Sequence, residues 1–333
     1  MSASGSSAMK LARRRFLAVA AGAVALPVAR RATAAGGLPD RPVHIVVGFP
    51  PGGIGDIAGR LIGQALQQKL GQPVIVDNRP GAGGNIAAQA VVEARPDGTM
   101  LLQAASNNSI NATLYKNLPF DFIRDIAMVA GIMQSPLVML TNPSFAAKSV
   151  AELISYAKAH PGKTIMGSGG NGTASHLTGE LFQMMAGVSM LHVPYRGEAA
   201  ALSDLMAGRT ELMFANVATS IGFIRGGRLR ALAVTSLKAS PVLPGIPPLA
   251  SVVPGYEVTA WFGLGAPKAT PAATVAALNQ AVNACLAEPA VADRIRELGA
   301  TPMVMSPRAL DAFAAADTAK WAEAVKFSGA KVD

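Results

Sequence analysis

Short runs of β-branched residues alternate with helical patterns from residue 43 to the C-terminus. Residues 43–49 predict a strand, and residues 56–70 carry apolar side chains at helical spacing. The alternation continues with strands predicted at 74–76, 100–103, 127–132, 137–140, 164–166, 190–193, 211–214, 229–234 and 258–264, and with helices at 85–94, 149–160, 174–185, 199–207, 271–286, 290–298 and 307–327. This order indicates an α/β fold, with mainly parallel sheets flanked by helices.

The domain organisation follows from where this alternation restarts. A second series of strands and helices begins near residue 140, and the long helical C-terminus needs a sheet to cover. We therefore expect two α/β lobes joined by two crossings of the chain. Residues 36–140 and 256–333 form lobe 1 in this interpretation, residues 141–255 form lobe 2, and a ligand cleft lies between them.

The first 35 residues have the pattern of an export signal. A basic stretch ends at Arg13-Arg14-Arg15, the apolar run 16–28 follows, and Ala32-Thr33-Ala34 offers a cleavage site between small residues. The paired arginines before Phe16-Leu17 are similar to a twin-arginine signal, and an ordinary secretory signal is the alternative. Both interpretations predict that residues 1–35 are removed and that the mature chain is periplasmic.

Charge changes the picture once this segment is set aside. The 333 residues carry a formal charge of +9, but six of the 29 basic residues lie before residue 35. The remainder has 23 basic and 20 acidic residues, which gives little support for a nucleic-acid surface. A chain that is 50% hydrophobic also excludes a disordered protein, and no apolar run is long enough for a spanning helix.

Three glycine-rich turns each follow a predicted strand and precede a helix, at residues 50–56, 80–85 and 167–173. Glycine permits close approach of a ligand, and the start of a helix presents unpaired N–H groups. Each turn alone is compatible with a tight connection that binds nothing. Three such turns at the ends of strands favour an anion site, and a small carboxylate fits the third turn better than a dinucleotide does.

Catalytic and metal chemistry finds less support. The four histidines have no spacing typical of a zinc site, and we expect no metal and no cofactor. Ser168 lacks the flanking residues of a nucleophile elbow. His192 lies in an apolar strand as a core histidine, while Cys285 is alone and is expected to be a buried structural thiol. Trp261 and Phe262 are more typical of a core than of a stacking platform.

A series of motifs runs through nearly all of the mature chain. It comprises Phe49-Pro50-Pro51-Gly52-Gly53 with Asp56, residues 78–86, Pro96-Asp97-Gly98, residues 114–119, residues 148–154, Gly167-Ser168-Gly169 through Gly172-Thr173 to His176-Leu177, residues 192–195, residues 229–236 and Lys320-Trp321. In these motifs the chain resembles the Bug solute-binding proteins, the extracytoplasmic receptors of tripartite tricarboxylate transporters.

The resemblance implies a two-lobed periplasmic-binding-protein (Venus flytrap) architecture that closes on a small carboxylate, a di- or tricarboxylate or an aromatic acid. It implies that the turns at 52–56 and 169–173 hold the carboxylate through backbone N–H groups and ordered water. It also implies membrane permease subunits as partners of a monomeric receptor. The candidate ligand-binding residues are Gly52, Gly53, Ile54, Asp56, Ser106, Asn108, Ser168, Gly169, Gly170, Asn171, Thr173, His176, Tyr195 and Asn216.

Two departures from the family pattern concern the ligand. Ala215 stands where the family has an aspartate, which argues against an amino-acid ligand if that aspartate pairs with an amino group. Gly55 stands where a polar residue is usual, which removes a possible hydroxyl contact. Arg79 and Arg196 remain competing carboxylate ligands, because arginine forks suit carboxylates. The alternatives to a transport receptor are an exported enzyme that uses His176 and Ser168, and a binding protein coupled to a sensor.

Overall fold

The computed structural model describes residues 41–328, so the export signal predicted at residues 1–35 lies outside the described residues. The first sheet begins with three parallel strands, in which β1 lies between β2 and β3. The β-branched residues of β1 are buried on both faces because helices cover the sheet. The elements in this part are β1 (Val43–Val47), α1 (Ile54–Leu70), β2 (Val74–Asn78), α2 (Asn85–Val92), β3 (Met100–Ala105), α3 (Ser106–Leu114) and α4 (Phe122–Asp125).

One long strand, β4 (Ile126–Thr141), takes part in two sheets. Its residues 126–136 pair with β9 (Thr259–Pro267), and its residues 137–141 pair with strands of the second sheet. Pro136, which has no N–H to donate, lies at the point where the partners change. The two strands predicted at 127–132 and 137–140 are therefore one strand, because the proline ends the pairing with β9 without ending the extended conformation.

The second sheet has the order β8, β4, β7, β5, β6. Its helix α5 begins after Ser149, whose hydroxyl accepts a hydrogen bond from the Glu152 N–H, as the capping pattern predicts. The elements are α5 (Val150–Ala159), β5 (Ile165–Ser168), α6 (Ala174–Ala186), β6 (Leu191–Pro194), α7 (Glu198–Met206), β7 (Leu212–Asn216), α8 (Val217–Arg225) and β8 (Arg230–Val234).

Three further helices follow β9, namely α9 (Ala272–Ala287), α10 (Pro289–Glu297) and, after the short strand β10 (Thr301–Pro302), α11 (Pro307–Ser328). The Asn279 amide of α9 donates to the Val129 carbonyl of β4, and Cys285 is buried on the same helix. In α11, Asp317 accepts a hydrogen bond of 2.7 Å from the Trp261 indole of β9. The C-terminal helices thus cover the first sheet, as expected.

The α/β class is confirmed, but the expectation of mainly parallel sheets is wrong. Strands β1–β3 and β5–β7 form parallel pairs at the two ends, whereas every pair that involves β4 or β9 is antiparallel. The reason is that β4 leaves the first sheet and β9 returns to it, so the two crossing strands must run in opposite directions. Among residues 41–328, no helix combines the length and apolarity needed to cross a bilayer.

Candidate functional site

A cavity of about 110 Å³ lies where the two sheets approach each other. One buried water needs only about 10–15 Å³ measured in the same way, so the cavity admits a small organic molecule. The starts of five helices line it. They are residues 53–55 before and in α1, 105–107 at α3, 173–175 at α6, 197–199 at α7, and Asn216 before α8.

This arrangement concentrates hydrogen-bond donors on one space. The first N–H groups of a helix have no partner within the helix and carry partial positive charge. Side-chain acceptors do not satisfy all of these N–H groups. At α1, the capping residue is Gly53, and no side chain forms a capping hydrogen bond. Arg196 is the one cationic side chain among the lining residues. The cavity therefore attracts an anion mainly through backbone groups.

The first glycine turn is held in shape by Asp56. Its carboxylate accepts hydrogen bonds from the Gly52 N–H at 3.0 Å and the Asn78 amide at 3.1 Å, and it pairs with Arg60 at 2.9 Å. Burial opposes the charged form, yet the hydrogen bonds from Arg60, Gly52 and Asn78 lower the pKa of Asp56 below its ordinary value. Gly52 has a φ of +87°, a conformation that favours glycine. Asp56 thus orients the turn from behind the cavity wall.

Two stacked imidazoles brace the third glycine turn. The rings of His176 and His192 lie 4.0 Å apart, centroid to centroid. Nδ1 of His176 accepts from the Gly172 N–H, and Nε2 of His192 lies 2.7 Å from the Ser168 hydroxyl. Ser168 is fully buried and, like both histidines, does not line the cavity. The Ser168 hydroxyl is hydrogen-bonded to His192 rather than to His176.

The second glycine turn has a different use. None of residues 80–85 lines the cavity. Instead, the Gly83 carbonyl accepts hydrogen bonds from the amides of Asn107 and Asn111 on α3, both at 2.9 Å. The turn positions α3, whose first residues reach the cavity. The second turn therefore does not border the cavity, since its helix, α2, starts outside it.

The predicted site residues fall into two groups. Those that line the cavity are Gly53, Ile54, Ser106, Gly169, Thr173 and Asn216. Those that lie outside its lining are Gly52, Asp56, Asn108, Ser168, Gly170, Asn171, His176 and Tyr195. Several of the second group support the first. For example, Asn108 accepts from the Ala105 N–H at the start of α3, and the Tyr195 hydroxyl donates to Asp204.

Other lining residues were not among the candidates. Gln103 and Asn107 flank the start of α3, and Glu198 begins α7. Trp261 and Phe262 are buried in β9, as expected of core residues, and also form one wall. No local sequence signal marked these residues, because the cavity is formed by elements that are distant in the chain. Arg79, in contrast, lies on the surface, 3.9 Å from Asp77 and away from the cavity.

His176 is buried, whereas His192 is half-buried on β6 rather than a core residue as expected, and the two imidazoles together predict an acid-sensitive stability. Burial, with a smaller contribution from the charge of His192, lowers the pKa of His176 to about 3, and burial lowers the pKa of His192 to about 4. The unfolded chain therefore takes up protons at these positions near pH 6.5, where the folded chain does not. The stabilising effect is complete above about pH 6.5 and is lost progressively as the pH falls toward the folded pKa values.

We expect the melting temperature to fall between about pH 7 and about pH 5, and to fall less in the His192→Gln variant. Thermal unfolding followed by circular dichroism checks this. His160→Gln provides the control for the loss of a histidine elsewhere, because His160 is exposed and lies outside the stacked pair. A His192→Gln profile as steep as that of the wild type would contradict the assignment.

The fold is that of solved periplasmic binding proteins. A structure described as Rpa4515 of R. palustris with adipate has a TM-score of 0.84 and 37% identity, and the match covers 87% of this chain and 98% of that one. MatC of Rhodopseudomonas palustris with bound malate has a TM-score of 0.81 and 31% identity, with coverage of 86% and 100%.

The sequence identifies the family within this class. The sequence-family model described as "Tripartite tricarboxylate transporter family receptor" matches residues 58–329 of this chain. Protein BugT of Bordetella pertussis is 35% identical over 297 residues, which is 88% of this chain and 91% of BugT. The chain therefore belongs to the family of tripartite tricarboxylate transporter receptors, and the resemblance noted from its motifs is confirmed.

Proposed function

We propose that this protein captures a small organic carboxylate in the periplasm and delivers it to the membrane permease subunits of a tripartite tricarboxylate transporter. The observation that carries the proposal is the cavity lined by five helix starts. Because helix starts from both sheets border one space, and the first N–H groups of a helix carry partial positive charge, an anion is stabilised there without an arginine clamp. The adipate and malate of the two related structures are carboxylates of the expected size.

The two-lobe division supports capture by closure. We assign residues 36–140 and 256–333 to lobe 1 and residues 141–255 to lobe 2. The change of pairing in β4 after Pro136, and the start of β9 at Thr259, lie close to both proposed crossings. Both sides contribute to the cavity, since α1 and α3 belong to the first sheet and α6, α7 and α8 to the second. A ligand that bridges these helix starts favours the closed arrangement.

A thermal-shift panel tests the proposal. The purified mature protein is heated with mono-, di- and tricarboxylates and aromatic acids, and each acid is paired with its uncharged amide as the control. A ligand present at about 100 times its Kd should stabilise the fold by about 2.7 kcal/mol. We expect at least one acid to raise the melting temperature while its amide does not. Equal shifts for acids and amides, or no shift across the panel, would contradict carboxylate capture.

A further inference from the structure

A half-buried carboxylate lies on the wall of this anion-attracting cavity. Glu198, the first residue of α7, lines the cavity and accepts hydrogen bonds from the Asn216 backbone N–H, from the Asn216 amide at 3.0 Å and from the Thr219 hydroxyl at 2.9 Å. Within residues 41–328, no cationic side chain forms a salt bridge with it. The Glu198 carboxylate thus already lies at the start of α8, where an anion would otherwise bind. The starts of α1, α3 and α6 are left for a bound anion.

The hydrogen bonds define Glu198 as an acceptor. The Thr219 hydroxyl lies 2.9 Å from both a Glu198 carboxylate oxygen and the Asn216 carbonyl, which also accepts from the Ser220 hydroxyl at 2.8 Å. The backbone N–H and the amide of Asn216 thus donate to the carboxylate, and Thr219 shares its single proton between two acceptors. Burial raises the pKa of Glu198, and the hydrogen bonds from Asn216 and Thr219 oppose this increase. This carboxylate therefore lacks a countercharge or further donor that would offset its burial.

The same network fixes the orientation of the Asn216 amide. Because its Nδ2 donates to Glu198, rotation of the amide would place Oδ1 against the carboxylate. In the fixed orientation Oδ1 has no hydrogen-bond partner, although Asn216 is only 6% exposed and lines the cavity. Buried polar groups without a partner are uncommon and costly, so the free Asn216 Oδ1 and the uncompensated charge of Glu198 both favour a further donor at this end of the cavity.

We propose that Glu198 and Asn216 recognise a hydrogen-bond donor, a hydroxyl or amino group, on the bound carboxylate. The ligand then presents an acceptor to the helix starts and a donor to this corner, which we call the acceptor corner. The inference rests on the proposed function and narrows its ligand to hydroxy or amino acids.

The residue at position 215 does not decide this question. Ala215 is fully buried in the core of the second sheet and does not line the cavity. The aspartate missing at position 215 therefore does not exclude an amino-acid ligand, because the carboxylate that lines the cavity nearby belongs to Glu198.

Matched ligand series test the proposal on the wild-type protein by calorimetry. Each series holds the carbon skeleton constant and varies one group: succinate, malate and aspartate; glutarate, 2-hydroxyglutarate and glutamate; adipate, 2-hydroxyadipate and 2-aminoadipate; phenylpropionate, phenyllactate and phenylalanine. We expect the tightest ligand to carry the donor and to bind about tenfold or more tightly than its unsubstituted analogue. A tighter or equal unsubstituted acid overturns the proposal.

The Glu198→Gln variant tests whether the preference for a donor-bearing ligand arises at the acceptor corner. It removes the charge and should reduce the preference for the donor-bearing ligand about tenfold, with a larger loss for an amino than for a hydroxy group. Glu180→Gln is the control, because Glu180 is also half-buried but does not line the cavity. An unchanged preference in a folded Glu198→Gln protein would contradict the assignment.

The two proposals fail in different ways. If unsubstituted acids bind best, carboxylate capture stands and the acceptor corner is wrong. If no acid in any series binds, both are wrong. The wild-type series decides between these outcomes even if Glu198→Gln does not fold.

Discussion

Gly53→Val should remove carboxylate binding while the protein remains folded. Gly53 has a φ of −80°, which valine adopts without strain, and a Cβ placed there meets only the Pro50 carbonyl, at 3.9 Å. The new side chain instead enters the cavity beside the first N–H groups of α1. Loss of about two charge-assisted hydrogen bonds corresponds to about a 100-fold weaker Kd or more, measured by calorimetry.

Gly222→Val is the matched control. A Cβ at Gly222 meets nothing within 4 Å, and this glycine lies on α8 away from the cavity lining. The variant should bind as the wild type does. Gly170→Val is a poorer test than the sequence suggests, because Gly170 has a φ of +126° and its Cβ would lie 3.0 Å from the Tyr195 carbonyl. A Gly53→Val protein that binds normally would show that the ligand does not approach the start of α1.

Asp56→Ala should both destabilise the protein and weaken binding. The substitution leaves the Gly52 N–H and the Asn78 amide without their shared acceptor, and the first turn loses the group that holds its shape. Removal of a buried hydrogen-bond partner costs about 1–3 kcal/mol. Chemical denaturation measures the loss, and calorimetry should show a weaker Kd, since the N–H groups are no longer held toward the ligand.

Arg60→Ala separates the role of the carboxylate from that of its ion pair. The Arg60 side chain is 54% exposed, and exposed pairs contribute about 1 kcal/mol or less. We expect stability and binding close to those of the wild type. If Arg60→Ala and Asp56→Ala had the same effect, the ion pair rather than the turn would be the important feature.

The elements that the sequence predicted well are those whose apolar spacing decides their structure. Helix α1 is of this kind because its apolar residues recur at helical spacing, and strand β1 because it is a short run rich in β-branched residues that is buried on both faces. Helix α3 is the opposite case and was not predicted. Its residues include Ser106, Asn107 and Asn108, which have low helix propensity, and all three are buried. Contacts with the Gly83 carbonyl and with β9 stabilise this helix, and a single sequence does not display them.

The candidate site was likewise predicted only where a local sequence signal exists. The turn at 52–56 was identified because a glycine-rich turn between a strand and a helix is a local signal, and its Gly53 and Ile54 do line the cavity. The turn at 80–85 carries the same signal but supports α3. Which helix starts converge depends on how the two sheets face each other. Glu198 was missed for that reason, since nothing in its local sequence distinguishes it from a solvated helix start.

The most direct test of the central claim is a crystal structure with the tightest acid of the panel. The account predicts that the ligand carboxylate accepts hydrogen bonds from backbone N–H groups of residues 53–55 and 173–175, directly or through one ordered water. It further predicts that Arg196→Ala retains most of the affinity. A carboxylate held in a bidentate pair by Arg196, with no contact to either helix start, would contradict the account.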